Sequence, residues 1–403
     1  MVASTPDPAL TPAPAARPAR WAAPTLIRHL GMAVLAGLVL LLVSNAIGDY
    51  RDYQLAEVAA YVVAVAGLTV LIGQSGQISI GNGAFMAVGG YVAALSLADL
   101  HWPLIAIGLA AVAAAAVAGA IFGVAAARLR GPYLAGATLM LAVALPSLAT
   151  RFQSVFGGDQ GLGFFVTVPG FLGSSISLIR WQAWVSCAAA LIILVLLANL
   201  LRSRVGRSWR AVRDDEVAAA LAGLNVARLQ ALAFVVSAAC AGLGGMLLAM
   251  WNESASPGLF SLTLSIQLLT AAVLGGLGSL SGAIWGSAVL VLAPTYLENF
   301  ATSHGMTAAT SASVPIVAYG VVLIVVMLAF PSGIQGGLVL LVQVTRIQPI
   351  FRRLTTLVRP RLGGLAGRSG ALARQSPTAG TEAVQPDPID SQPVAEPQER
   401  GTT

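Results

Sequence analysis

Apolar stretches of about 20 residues, the length of helix that crosses a bilayer, recur along most of this chain. They constrain the fold more than any other feature, because in hydrocarbon only helices and closed barrels satisfy their own backbone groups. A transmembrane barrel shows ~10-residue segments of alternating polarity, and no such alternation is present. Charged residues make up 9% of the 403 residues, against about 25% in a soluble domain. The chain reads as an all-α polytopic membrane protein.

Ten segments qualify as spans: about 29–47, 55–73, 83–98, 103–127, 133–150, 181–201, 229–250, 262–276, 282–297 and 314–331. The third, eighth and ninth are short for a full crossing. Residues 1–24, rich in Pro and Ala, read as a disordered tail; the apolar run after them is too long for the core of a signal peptide. The membrane domain is expected over 25–340. A tail follows over 341–403, basic at first and then rich in Pro, Gln, Glu and Asp, and therefore disordered.

Orientation follows from the arginines. All 22 basic residues are arginine, and lysine is absent. With both termini cytoplasmic, ten spans place 19 of the 22 on the inner side, in 1–28, 128–132, 202–228 and the C-terminal tail. Arg51, Arg151 and Arg180 fall outside, and Asp49, Asp52, Asp99, Asp159, Glu253 and Glu298 fall at the outer side or its edge. The basic residues thus mark a topology, and no nucleic-acid partner is expected.

Against this background GQSGQISIGNGAFMAVGGY (73–91) stands out, with six glycines and several amides and hydroxyls beside strongly apolar runs. A phosphate-binding loop of the GxxxxGK[ST] type needs a lysine, which the chain lacks, and no basic residue occurs between Arg51 and Arg128. The stretch reads instead as a broken-helix junction at the inner end of the second and third spans. Non-helical backbone at that depth requires a cover of protein or a water-lined cavity. Gln74, Ser75, Gln77, Ser79 and Asn82 are accordingly candidates for lining or gating a path; the other reading is a polar turn packed by glycines. VLGGLGSLSGAIWG (273–286) interrupts the other half of the chain in the same way, and paired discontinuous segments point to a transport path. Gln267, in the eighth span, is a candidate interior polar residue. GGDQGL (157–162), in the outer segment 151–180, fits either a structural loop or a contact with another protein. Cys187 and Cys240 lie far apart in apolar runs and read as packing residues. Three scattered histidines show no metal-ligand spacing, so neither metal nor cofactor is expected.

The largest inner loop, RSRVGRSWRAVRDDEVAAALAGLNVARLQ (202–230), opens on four arginines within nine residues. Asp214, Asp215 and Glu216 then precede VAAALAGL, where acidic groups cap free N–H groups and complement the helix dipole. Gly223 and Asn225 supply a stop. A short helix of small residues follows, either an interfacial helix in a positive loop or a docking helix for a cytoplasmic partner.

With Glu216, Ala218, Ala219 and Gly223, this loop resembles the E-A-A…G motif of ABC importer permeases. The resemblance is strongest to the branched-chain amino acid permease family. It runs in order through GLTVLIGQSGQISIGNGAFMAVGGY (67–91), LRGPYLAGATL (129–139), GGDQGL (157–162), residues 202–234, VLGGLGSLSGAIWG (273–286) and VMLAFPSGIQG (326–336). Members usually carry an amide where this chain has Thr69, and often His where it has Asn82. The resemblance implies a multi-pass protein of the bacterial inner membrane that is no enzyme itself. Separate ATPase subunits would dock on 202–228, where Arg210, Arg213, Asp214, Asp215, Glu216, Ala219 and Gly223 are the candidates. A second permease subunit, usually a sister chain, would complete the pore, and an extracytoplasmic binding protein would deliver substrate. Branched-chain amino acids are the family's commonest cargo; urea, short amides and some aromatic acids use the same architecture. A stand-alone secondary transporter is the reading of another class. Ion-coupled carriers place Asp, Glu or His within spans, and spans three to ten hold almost none.

Overall fold

The computed structural model describes most of residues 48–304, except 100–101, 127, 130–131 and 169–176, and scattered residues of 31–44 and 317–337. Its helices are α1 (Asp49–Ser75), α2 (Asn82–Asp99), α3 (Leu104–Ala126), α4 (Pro132–Arg151), the single turn α5 (Gln153–Phe156), α6 (Leu178–Arg202), α7 (Arg204–Asp214), α8 (Glu216–Leu221), α9 (Val226–Asn252), α10 (Leu262–Gly275) and α11 (Leu280–Ser303). Eight of the ten expected spans fall among the described residues and all eight are helical. Among the described residues six helices are long and apolar enough to cross a membrane; α2 and α10 are apolar but shorter. At about 1.5 Å per residue, the 14 residues of α10 extend ~21 Å, less than a bilayer core. The spans expected at 29–47 and 314–331 lie largely outside the described residues, as do both tails, so the full count and the termini are not part of this description.

The ninth span departs from expectation. It runs 24 residues, from Leu280 to Ser303, with Pro294 inside it. A proline interrupts one i→i−4 bond of a helix, which membrane helices tolerate where the backbone is otherwise covered; beside it Thr295 Oγ1 donates to Val291 O at 3.1 Å. The inner loop also differs, for it holds two helices rather than one.

Burial sorts the bundle into posts and shell. In α1 and α9, 78% and 67% of the apolar window is buried, against 22% in each of α3, α4 and α6. The reason lies in CAGLGGM (240–246), where α9 packs against α1, α2 and α3. A Cβ at Gly242 would meet Ala115 of α3, one at Gly244 the Ala60 carbonyl of α1, and one at Gly245 the Met86 carbonyl of α2. Lipid is as apolar as leucine, so helices associate in it through close backbone packing, which small residues permit.

The ends of the bundle group as the arginine count expects. At one end Arg180 reaches Asp52 at 3.4 Å and Asp49 at 3.8 Å. At that end too, β1 (Leu162–Gly163) pairs antiparallel with β2 (Ser254–Ala255). The α1–α2 junction, the α7–α8 loop and the α10–α11 hairpin meet at the other.

Replacing Gly245 with Val overpacks the α2–α9 contact, a change that typically costs about 1–3 kcal/mol. Gly136→Ala on α4, with nothing within 4 Å of the added Cβ, gains up to about 1 kcal/mol of helix propensity. Thermal melting of the detergent-solubilised protein is therefore expected to fall in the first variant and hold or rise in the second. Equal melting of Gly245→Val and the unaltered chain would remove the close-packing account.

Candidate functional site

Helix α1 ends because Gly76 takes a left-handed conformation, φ +75°. Its N–H bonds to Ile72 O, and the N–H of Gln77 bonds to Leu71 O. Residues 76–81 are non-helical, and α2 restarts at Asn82. The expected broken junction is therefore present as geometry.

All five junction candidates are buried: Gln74, Ser75, Gln77, Ser79 and Asn82. Ser75 Oγ donates back to Leu71 O at 2.7 Å. Ser79 Oγ accepts from the Gly81 N–H at 3.4 Å. The Ile80 N–H reaches Thr138 Oγ1 on α4 at 3.0 Å. Asn82 ties three helices together, its Nδ2 donating to Ala64 O of α1 at 3.4 Å while its Oδ1 accepts from Ser237 Oγ of α9 at 3.2 Å. The next N–H, of Gly83, donates to Ser265 Oγ on α10 at 3.1 Å. Among the described residues neither amide atom of Gln77 has a hydrogen-bond partner, and Thr69 Oγ1 on α1 has none either.

Gln267 is half-buried on α10. Ser265, two residues earlier and fully buried, is the residue of that helix that joins the junction. Sequence reasoning missed it, since serine in an apolar run is a weak signal. It missed α7 for a similar reason. Only Gly206, Trp209 and Val212 of that helix are buried, a stripe too sparse to stand out among arginines. Trp209 is fully buried, and its indole N–H donates to Leu229 O at the start of α9, 2.8 Å away.

The seven residues singled out in the inner loop divide into two sets. Arg210 and Arg213 turn inward, onto Gln74 Oε1 at 3.3 Å and Gly73 O at 2.7 Å respectively. Ala219 is buried. Asp214, Asp215, Glu216 and Gly223 are exposed. Asp215 caps α8 by accepting from the N–H groups of Val217 and Ala218 at 2.8 and 3.0 Å. Glu216 accepts from Gln230 Nε2 at 2.8 Å. The far end closes in a Schellman motif, with Leu224 N–H on Ala219 O and Gly223 N–H on Ala220 O, both at 3.0 Å. Gly223 takes φ +84° there, so its role is conformational. Between the caps, Val217 and Leu221 lie one turn apart and are 70% and 85% exposed. This pair, absent from the sequence-derived candidates, gives α8 an outward apolar edge beside acidic groups.

The family model described as "Branched-chain amino acid transport system / permease component" matches residues 50–331. The permease protein LivM of the high-affinity branched-chain amino acid transport system of Escherichia coli K12 is 31% identical over 266 residues. That match covers 60% of this chain and 62% of LivM, so the chain spans a little under two thirds of that relative. LivH of Salmonella typhimurium and BraD of Pseudomonas aeruginosa, also permease proteins of such systems, are each 29% identical, over 69% of this chain and 92% of their own length. The multi-pass inner-membrane placement expected from the sequence agrees with these relatives and with the apolar helices. The matched region takes in both the glycine-interrupted junction and the inner loop, and on it the chain belongs to the branched-chain amino acid transport system permease family.

Proposed function

We propose that this chain is a permease subunit of an ABC importer, forming with a second permease subunit the pathway for branched-chain amino acids. ATP is hydrolysed on separate subunits, and an extracytoplasmic binding protein delivers the substrate. The observation that carries this reading is α8: a capped helix on the surface of the arginine-rich end, with Val217 and Leu221 facing away from the bundle. An apolar edge flanked by charge is what a helix laid into a partner's groove presents. The arginine distribution makes that end cytoplasmic, where nucleotide is available. The cargo rests on the relatives' names alone; urea, short amides and aromatic acids are the competing substrates for the same architecture.

The buried junction supports an alternating pathway. Gln74, Ser75, Gln77, Ser79 and Asn82 are packed inside the chain, tied to the α7–α8 loop through Arg210 and Arg213. A partner moving the α7–α8 loop would supply the force for opening, because switching elements move between discrete packed arrangements.

The assembly reconstituted in proteoliposomes with its ATPase and binding protein is expected to accumulate leucine only when ATP is supplied. Uptake by the chain without any ATPase would make it a stand-alone carrier and sink the proposal; accumulation of urea or aromatic acids in place of leucine would replace the cargo.

Leu221→Asp and Glu216→Arg are expected to cut co-purification of the ATPase at least tenfold, the scale on which truncated contact residues weaken an interface by more than about 1.4 kcal/mol. Surface changes of this kind leave stability within about 0.5 kcal/mol. Gly223→Val should act similarly by straining a left-handed position, at roughly 1–2 kcal/mol. Undiminished co-purification of all three would take α8 out of the docking surface.

A further inference from the structure

The last turn of α1 contains no basic residue, yet its carbonyls are well supplied with donors. Leu71 O and Ile72 O are taken locally. Gly73 O accepts from the Arg213 guanidinium at 2.7 Å. Beside it the Gln74 side chain bonds in two directions at once. Its Oε1 accepts from Arg210 Nη1 at 3.3 Å, and its Nε2 donates to Gly278 O at 2.9 Å. Arg210 is also anchored on Leu201 O, at 3.3 Å. One buried amide thus stands between α7 and the turn joining α10 to α11.

Resting on the importer reading, this geometry points to Gln74 as the positioning residue that couples the cytoplasmic loop to both glycine-interrupted segments, with Arg210 and Arg213 as its ties to α7. Arg210 and Arg213 then act within the chain and not as contacts for the ATPase. The side-chain chemistry is specific. An amide accepts from a guanidinium and donates to a carbonyl in one place; a carboxylate could only accept, and an aliphatic chain could do neither. The backbone leaves little slack around it. A Cβ at Gly73 would run into the backbone of Gly278, and Gly278 itself holds φ +93°. Asp215 alone separates α7 from α8, so a displacement of α8 is carried into α7. From there Arg213 pulls on the end of α1, and Arg210 reaches the α10–α11 turn through Gln74. The two segments that interrupt the two halves of the chain are moved by one element.

The test compares Gln74→Leu, Gln74→Glu, Arg210→Gln and the Gln74→Leu/Arg210→Gln double variant in the whole assembly, reading leucine taken up per ATP hydrolysed. Each single change is expected to lower that ratio about tenfold, within the 5–150-fold range of site-to-site coupling. The double variant should be no worse than either, because residues acting through one link are not additive. Arg213→Lys, which keeps a donor for Gly73 O, should retain more of the ratio than Arg213→Ala. An unchanged ratio in Gln74→Leu, or additive losses in the double variant, would overturn the relay. Hydrogen exchange on the chain in lipid nanodiscs decides it independently of transport. In Gln74→Leu the amides of 276–281 should exchange faster than in the unaltered chain, and equal exchange overturns the relay whatever the uptake. If the unaltered assembly shows no ATP-driven uptake at all, the importer reading fails, while the exchange experiment still judges the link.

Discussion

A backbone group left without a partner inside a bilayer costs several kcal/mol, and the inner end of α1 is where this chain meets that demand most openly. The last four carbonyls of any helix lack partners within it. A buried apolar helix cannot turn to water for them. Here Ile72 O is closed by the Gly76 N–H at the local left-handed turn, and Gly73 O is closed by an arginine from another element. The remainder of the inner end is arranged around that solution. The α7 helix must lie against α1 for Arg213 to reach, and Trp209 must be buried for α7 to lie there. The sharp turn also lets α2 restart at a depth where Asn82 can bond to α1 and α9 together.

Glycine makes this arrangement possible in the interior and conspicuous at the ends. In α9 the glycines serve approach: α1, α2 and α3 each come close to one turn of it. At Gly76, Gly223 and Gly278 the positive φ is what counts, and each ends or turns a segment. The polar side chains of the junction are therefore not scattered through a loose loop. They sit among tightly packed backbones, and the amide of Gln77 and the hydroxyl of Thr69 are buried there with no partner among the described residues.

Much of the fold was legible in the sequence because one physical signal, apolar length, dominates it. All eight expected spans among the described residues are helices, and the same-end grouping of the junction, inner loop and second hairpin followed from arginine placement. The errors have local causes. Helix α11 runs past the expected end at 297 through ENFATS, a mostly polar run that an apolar-length criterion does not count. Helix α7 was hidden because arginines dominate its sequence while only Gly206, Trp209 and Val212 are buried. The candidate site was half legible. Composition identified Gln74, Ser75, Gln77, Ser79 and Asn82 as unusual, and all are buried together. It could not distinguish Gln267 from Ser265, since which side of α10 meets the junction is a fact of packing and not of residue type.

The absence of lysine, first useful for excluding a phosphate loop, also bears on how the inner loop works. The positive-inside rule treats Arg202, Arg204, Arg207, Arg210 and Arg213 as equivalent topology signals. Their side chains are not equivalent. Only Arg210 is half-buried and the other four are exposed, yet Arg210 bonds to both Gln74 and Leu201 O, and Arg213 to both Gly73 O and Asp214. A guanidinium can do this because it carries five donors in a fixed plane, whereas an ammonium is a strongly hydrated point charge on a flexible stem. Two arginines can therefore hold α7 against the ends of α1 and α6 and still leave its outer face charged. The arginines that a charge count treats alike thus include two that fasten the surface loop to the interior, a difference that packing makes and composition does not.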